Sequence, residues 1–243
     1  MTDPTNGADA RREELRTHLA AVEQRIAAAA EEAGRDPAAV QLVVVTKFFP
    51  ASDVRLLAEL GVTSVGENRH QEAEAKIRTC VEMGLDDLSW HFIGGLQSNK
   101  AAAVAAYADV VQSVDRTKLV GPLQRGAHQR GRDLDVLIQV SLDPPGSGHR
   151  NGADPDDVPA LVDAIGQAGS LRLRGVMAVA PLDEDPLPAF ERLAAIASDV
   201  RHLDPAATWI SAGMSDDLEQ AVKCGATHVR IGSAVLGPRP SVK

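Results

Sequence analysis

A lysine stands directly after a run of aliphatic residues in the first quarter of the chain. Lys47 follows the segment QLVVVT at 41–46, which has the composition of a buried strand. An amine at the end of such a strand loses hydration, which lowers its pKa and makes it a usable nucleophile. Lysine amines in this setting form Schiff bases with carbonyl compounds. From position alone, a lysine whose amine reaches solvent along its aliphatic stem is the simpler interpretation.

Two short segments near the C-terminal end combine glycine with serine in a way that suits a phosphate group. The first, SAGMS, holds Ser211, Gly213 and Ser215, and the second, IGS, holds Gly232 and Ser233. Glycine lets backbone N–H groups approach a phosphate, hydroxyls add donors, and a following helix adds a favourable dipole. The alternative is that these residues only form tight turns. Two such loops facing a lysine leave both interpretations open, with pyridoxal phosphate as the carbonyl compound to consider.

An arginine interrupts the last apolar segment of the chain. Arg230 lies between Val229 and Ile231, where a permanently charged side chain needs a partner. One interpretation is an ion pair inside the fold. The other is that the guanidinium donates to a ring nitrogen or to a bound anion.

The pattern of elements can place these residues on one rim. After a helical pattern over 11–33, short apolar segments alternate with helical segments along the rest of the chain. The strand segments are 41–47, 63–68, 89–94, 109–115, 134–143, 171–181, 208–213 and 227–233. Eight apolar strands separated by helices predict an α/β fold, a (β/α)8 barrel of the TIM type, with a doubly wound open sheet as the alternative.

In such barrels the chemistry lies at the C-terminal ends of the strands. The unusual residues at or near these ends are Lys47, Asn68, Met177, Ser211, Gly213, Arg230, Gly232 and Ser233. If the barrel closes, they converge.

The two ends of the chain complete the predicted architecture. The segment after the last strand, AVLGPRPSVK, is too short for a full eighth helix, so we expect the extra N-terminal helix to cover that gap. No linker or shift in composition divides the chain, which predicts a single domain over 1–243 with a flexible tail at 1–10.

Composition argues against several classes of function. The net charge is −9 and aromatic residues make up 3% of the chain, which disfavours nucleic acid as a partner. The two cysteines and His91 lack metal-ligand spacing, so no metal site is expected. The sequence contains neither a stretch of about 20 apolar residues nor a signal-peptide pattern, so no membrane contact and a cytoplasmic location are expected.

With these features in place, the chain resembles a known family, the pyridoxal phosphate homeostasis proteins (YggS/PROSC family). The matching segments are VVTKFFPASDV at 44–54, VGENRHQEAEAKI at 65–77, WHFIGGLQSNK at 90–100, RGVMAVAP at 174–181 and AGMSDDLEQAVKCGATHVRIGSAVLGPRP at 212–240. Together they cover most of residues 40–240 in the expected order.

The resemblance implies the barrel domain of alanine racemase without its second domain, and pyridoxal phosphate held as a Schiff base on Lys47. It implies that Arg230 faces the pyridine nitrogen and that Asn68 lies beside the cofactor. The residues expected around the phosphate are Ser211, Ser215, Gly232 and Ser233, and Met177 and Gly213 complete the predicted cofactor-binding set.

The chain departs from the family pattern at three places. Phe49 stands where a second basic residue often follows the Schiff-base lysine, so this chain has no accessory lysine at that position. Ala212 replaces a methionine in the SAGMS segment, a change of packing that leaves the predicted phosphate donors in place. Near the segment GSGHRNG, His149 or Arg150 stands close to where a lysine is often found.

The resemblance also implies a role in vitamin B6 homeostasis, in which the protein holds pyridoxal phosphate and hands it to apo-enzymes. The alternative is a racemase-like or decarboxylase-like enzyme. Racemisation by two bases needs a second acid or base opposite the lysine, a tyrosine in alanine racemase, but Tyr107 falls in an alanine-rich helix. An arginine beside the pyridine nitrogen would also weaken the ring as an electron sink. We therefore expect a carrier without robust turnover. We also expect the protein to be a monomer.

Overall fold

Eight strands form one closed parallel barrel in chain order, which confirms the predicted fold class. The computed structural model describes residues 4–143, 151–181 and 184–239. The strands are β1 Gln41–Val45, β2 Ser64–Glu67, β3 Ser89–Phe92, β4 Val110–Val114, β5 Leu134–Gln139, β6 Leu171–Met177, β7 Trp209–Ser211 and β8 His228–Ile231. The pairing of β1 with β8 closes the barrel and excludes the open sheet. Valine, leucine and isoleucine dominate these strands because both faces of a barrel strand are buried.

Helices alternate with the strands around the outside of the barrel. Within the described ranges they are α1 Pro4–Glu32, α2 Ala51–Glu59, α3 His70–Glu82, α4 Ala101–Ala105, α5 Val120–Arg130, α6 Val158–Gly166, α7 Pro186–Leu203, α8 Leu218–Lys223 and α9 Ser233–Leu236. None of these helices is long and apolar enough to cross a membrane.

The N-terminal helix replaces the missing eighth outer helix, as the sequence predicts. Leu15, Leu19 and Ile26 of α1 belong to one buried cluster with Leu218 of α8 and Val235 of α9. Helix α9 has four residues, so α1 supplies the apolar surface that a longer helix would supply elsewhere in the barrel. The helix begins at Pro4, so residues 4–10, expected within a flexible tail, are helical. Proline is tolerated in a first helical turn because its missing N–H needs no partner there.

Polar residues fill much of the barrel interior, while the aliphatic core lies between the strands and the helices. Two large clusters of buried aliphatic residues form that outer core. The buried polar side chains of the strands include His91, Gln112, Gln139, Ser211, His228 and Arg230. Burying polar side chains costs free energy unless each has a hydrogen-bond partner. The partners of these side chains therefore indicate which of them serve a purpose other than stability.

The register between neighbouring strands brings the predicted site residues to one end of the barrel. Val43 of β1 pairs with Arg230 of β8, and Val45 pairs with Gly66 of β2. The C-terminal ends of β8, β1 and β2 are therefore neighbours. Gly232 and Ser233, predicted as the end of the last strand, lie at the start of α9 instead.

Candidate functional site

A cavity of about 350 Å³ opens at the C-terminal ends of the strands, where barrel chemistry was predicted. Seven of the nine predicted site residues line it: Lys47, Asn68, Met177, Ser215, Arg230, Gly232 and Ser233. Side chains that the sequence did not indicate complete the lining, among them Phe48, Phe49, Ile93, Gln139, Met214 and Arg239. Ser211 and Gly213 do not line the cavity.

Lys47 presents a half-buried amine to this cavity. In the described part of the chain its amine has no hydrogen bond or ion pair. Burial lowers the pKa of Lys47 below its ordinary value, the positive charges of Arg239 and Arg69 lower it further, and Glu67 opposes them. A larger neutral fraction makes the amine more reactive toward a carbonyl carbon.

The turn that carries Lys47 has an unusual backbone. Phe49 N–H donates to the Thr46 carbonyl at 3.0 Å, and between them Phe48 has φ of 72°. Among the described residues, Phe48 is the one non-glycine residue with positive φ. A carboxylate holds this conformation, since Phe48 N–H donates to Glu72 Oε1 at 2.5 Å. Such strain costs roughly 1–3 kcal/mol, and it persists where surrounding contacts over-determine the geometry.

A buried ion pair supports the same turn from below. Lys76 Nζ donates to Glu67 Oε1 at 2.6 Å and to the Thr46 carbonyl at 2.7 Å, and it lies 3.4 Å from Glu72 Oε1. Thr46 Oγ1 also donates to Glu67 Oε1 at 2.7 Å. Burial raises the pKa of Glu67, although Lys76 opposes the shift. This network was not predicted from the sequence. The four-residue spacing of Glu72 and Lys76 on one helix is the sequence pattern that could have indicated it.

Arg230 lies buried beneath the cavity and has no ion-pair partner in the described residues. Its guanidinium donates to Ser211 Oγ at 2.7 Å and to the Ala178 carbonyl at 2.8 Å. Burial lowers the pKa of Arg230 to about 10. The structure therefore does not support the ion-pair interpretation of Arg230, and the remaining guanidinium N–H groups are available to a ligand that fills the cavity.

Ser211 lies buried inside the barrel and not in the lining of the cavity. Its side chain is fully buried, accepts from Arg230 and donates to Gln112 Oε1 at 2.7 Å. Gln112 Nε2 donates in turn to His91 Nδ1 at 2.8 Å. Ser211 thus anchors Arg230 and does not line the cavity. His91 is a packed strand histidine, as predicted, and no cluster of metal-ligating side chains occurs within the described ranges.

Two hydroxyl groups meet at the wall formed by the loops after β7 and β8. Ser215 Oγ and Ser233 Oγ lie 3.3 Å apart, and both residues line the cavity. Gly232 lies between β8 and α9 at the same wall. Gly213 acts differently: with φ of 93°, a Cβ there would come within 2.8 Å of the Ala221 Cβ. Gly213 is therefore required by the turn and its packing and does not contact the cavity.

The donor set fits pyridoxal phosphate. The Lys47 amine can react with the aldehyde, and the hydroxyls of Ser215 and Ser233 can donate to the phosphate. The Arg230 guanidinium is a hydrogen-bond donor only, which suits an unprotonated pyridine nitrogen as its acceptor. The volume of the cavity lies in the range of small-molecule sites. Residues 144–150, which include His149 and Arg150, lie outside the described residues.

The chain is similar to known proteins over nearly its whole length. Residues 17–240 match the family model described as alanine racemase, N-terminal domain. The pyridoxal phosphate homeostasis protein of Mycobacterium tuberculosis is 45% identical, with 94% of each chain covered, and that of Escherichia coli K12 is 36% identical, with 91% of this chain and 95% of the relative covered.

Solved structures agree with this assignment. PipY of Synechococcus elongatus, solved with pyridoxal phosphate bound, is 33% identical with a TM-score of 0.80, covering 92% of this chain and all of that chain. Alanine racemase of Corynebacterium glutamicum is 16% identical with a TM-score of 0.66, covering 97% of this chain and 63% of that chain, and shows the fold alone. The chain belongs to the pyridoxal phosphate homeostasis protein family, within the wider family of the alanine racemase N-terminal domain.

Proposed function

We propose that this protein binds pyridoxal 5'-phosphate, holds it covalently through Lys47 and delivers it to apo-enzymes as part of intracellular vitamin B6 homeostasis. One observation carries the proposal: the unpaired Lys47 amine and the Ser215–Ser233 hydroxyl pair line the same cavity, above the buried Arg230 guanidinium. The names of the relatives and the cofactor bound to PipY support the same ligand.

Each residue has a defined task in this proposal. Pyridoxal phosphate, when bound, supplies an aldehyde that condenses with an amine. Lys47 provides that amine, and its lowered pKa keeps more of it neutral. Ser215 and Ser233 donate to the phosphate, with the Gly232 backbone beside them. Arg230 donates toward the pyridine nitrogen and keeps a proton off that atom.

The surroundings of Lys47 favour delivery of the cofactor over catalysis. Tyr107 does not line the cavity; it stacks on His70 with ring centroids 5.8 Å apart, and burial raises the pKa of its hydroxyl. A group that is packed away in this manner cannot exchange a proton at a ligand held by Lys47. An arginine at the pyridine nitrogen also reduces the ability of the ring to accept electrons.

The test of attachment combines absorbance with chemical reduction. Protein incubated with pyridoxal phosphate should absorb near the edge of the visible range, and borohydride should fix the cofactor irreversibly. Peptide mapping should then find the adduct on Lys47. An adduct found only on Lys76, Lys100 or Lys118 would overturn the proposed attachment. Gel filtration of the same sample checks the expectation from the sequence that the protein is a monomer.

A further inference from the structure

Two arginines at the mouth of the cavity have no acidic partner. Arg69, at the start of α3, and Arg239, after α9, are exposed, and neither forms a hydrogen bond or ion pair within the described residues. The chain carries 34 acidic against 25 basic residues, so acidic side chains are abundant elsewhere. Two unpaired guanidinium groups at one place are therefore available to bind an anion from solution.

The aromatic ring of Phe48 holds these two arginines next to Lys47. The guanidinium carbon of Arg69 lies 4.9 Å from the Phe48 ring centroid, and that of Arg239 lies 5.1 Å from it. Both distances are within the range of cation–π contacts. Phe48 directly follows Lys47, and the Glu72 carboxylate fixes its left-handed backbone. The strained turn thus has a consequence: it fixes two positive charges beside the reactive amine.

The two arginines differ in their relation to the cavity. Arg239 lines it together with Lys47, whereas Arg69 lies just outside, over the same ring. Both lower the pKa of the Lys47 amine through their positive charge, which is a sign of proximity. Among the described residues, Asp216 is the one carboxylate that lines the cavity; it belongs to the loop after β7 and lies in the field of Arg25. Glu67 and Glu72, whose negative charges also act on the Lys47 amine, do not line the cavity, and both lie within ion-pair distance of Lys76.

We propose that Arg239, assisted by Arg69, binds the carboxylate of an incoming α-amino acid and so selects amino acids over simple amines for exchange at Lys47. The inference rests on the proposed function, because it concerns a cofactor held by Lys47. In the exchange, the nitrogen of the amino acid forms a bond to the cofactor carbon that Lys47 held, and the bond to Lys47 Nζ breaks. Lys47 leaves as a neutral amine with the two hydrogens that the incoming neutral amine gives up, so one amine replaces another without an oxidant or reductant.

A carboxylate fits this place better than the phosphate of the cofactor. The hydroxyls of Ser215 and Ser233 belong to the loops after β7 and β8, and they supply the phosphate donors of the proposed function. The amine that replaces Lys47 must arrive where Lys47 is attached, and the carboxylate of an α-amino acid lies one carbon from that nitrogen. Arg239 is the cationic side chain lining the cavity that remains free after Lys47 and Arg230 take their roles.

The experiment measures release of pyridoxal phosphate from the loaded protein by three amines. Alanine carries a carboxylate, whereas ethylamine and alaninamide lack it and bracket alanine in basicity. We expect alanine to release the cofactor faster than both. Arg239→Gln should reduce this advantage about five-fold, the size of an exposed charge pair, and the double variant with Arg69→Gln should remove it. Arg239→Lys should retain part of it, and Arg201→Gln, an exposed arginine of α7, should change nothing.

A second measurement uses the protein without cofactor. Propionate, which has the carboxylate but no amine, should protect Arg239 from modification by phenylglyoxal and leave Arg201 unprotected. Equal release by all three amines, or an alanine advantage that survives in the double variant, would overturn the subsite while Lys47 attachment stands. Slower loading of pyridoxal phosphate in Arg239→Gln with an unchanged alanine advantage would assign this arginine to the phosphate and also overturn it. Absence of a Lys47 adduct defeats the proposed function, and the subsite with it.

Discussion

Ser211 accepts a hydrogen bond from Arg230 at 2.7 Å, and both side chains are buried inside the barrel. A charged group at this depth is stable only if its donors are satisfied. Ser211 satisfies one donor while its own hydroxyl donates to Gln112, so Arg230 is fixed in position before any ligand arrives. Ser211 therefore shapes the site without lining the cavity, whereas Ser215 and Ser233 line it. Residues of these two kinds should respond differently to substitution.

Replacing Ser211 by Ala should destabilise the protein even without cofactor. The substitution leaves a buried guanidinium donor without its acceptor, which costs about 1–3 kcal/mol. Urea unfolding of the protein without cofactor should show a lower free energy of unfolding for this variant. Ser233→Ala, at an exposed hydroxyl, serves as the matched control and should stay within about 0.5 kcal/mol of the wild type. Equal stability of the two variants would contradict the anchoring role of Ser211.

Replacing Ser215 or Ser233 by Ala should weaken cofactor binding with little effect on folding. Each change removes one hydrogen bond to a charged phosphate, worth about 1.5–3 kcal/mol, so the affinity for pyridoxal phosphate should fall roughly ten- to a hundred-fold. Equilibrium titration followed by absorbance measures the effect. Pyridoxal without its phosphate is the control ligand, because its affinity should not change. Unchanged phosphate affinity in both variants would place the phosphate elsewhere.

Buried histidines should make the protein sensitive to mild acid. Burial lowers the pKa of His91 to about 4 and that of His228 to about 3, while an unfolded histidine binds its proton near its ordinary pKa of 6.5. Between these values the unfolded state binds more protons, so stability is present above pH 6.5 and is lost as the pH falls.

Urea unfolding at pH 7 and pH 5 measures this linkage. Each buried histidine should lower the free energy of unfolding by about 2 kcal/mol over that interval. The variant His91→Gln should lose about 2 kcal/mol less than the wild type does. His202→Gln, at an exposed histidine of α7, is the control and should retain the wild-type difference. A pH dependence that is identical in all three proteins would mean that His91 takes up its proton as readily when folded as when unfolded.

The rule that barrel chemistry lies at strand ends identified most of the cavity from the sequence. Lys47 and Arg230 were found because each is an isolated charge in an aliphatic segment, a pattern that burial makes expensive. Ser211, which the same rule assigns to the cofactor site, does not line the cavity. Side chains alternate along a strand, and Ser211 points into the barrel interior beside Arg230 instead of toward the rim.

The contacts that the sequence could not indicate are those between distant segments. Glu67 and Lys76 form a buried pair that depends on how α3 packs beside β2, and no local pattern encodes that packing. Phe48 likewise occupies a backbone conformation that glycine usually takes, so its residue type gave no hint of a turn. Arg239 follows a helix of four residues, and its approach to Phe48 becomes visible only when the barrel closes.

Replacing Lys47 by Ala should reduce retention of the cofactor and leave the fold intact. Lys47 is half-buried at the rim and makes no hydrogen bond in the described part of the chain, so its loss should change the free energy of unfolding without cofactor by less than about 1 kcal/mol. The variant should still bind pyridoxal phosphate weakly through Ser215, Ser233 and Arg230, but it should lose the absorbance and the borohydride-stable adduct.

Transfer of the cofactor is the measurement that distinguishes a carrier from an enzyme. Loaded wild-type protein should reactivate an apo-enzyme that requires pyridoxal phosphate faster than the same concentration of Lys47→Ala protein, which retains too little cofactor to deliver.

The loaded protein should also be incubated with a panel of amino acids, followed by chiral analysis. It should show at most trace racemisation because Tyr107 is packed against His70, away from the cavity. Turnover of any one amino acid at several per second, abolished by Lys47→Ala, would replace the carrier with an enzyme.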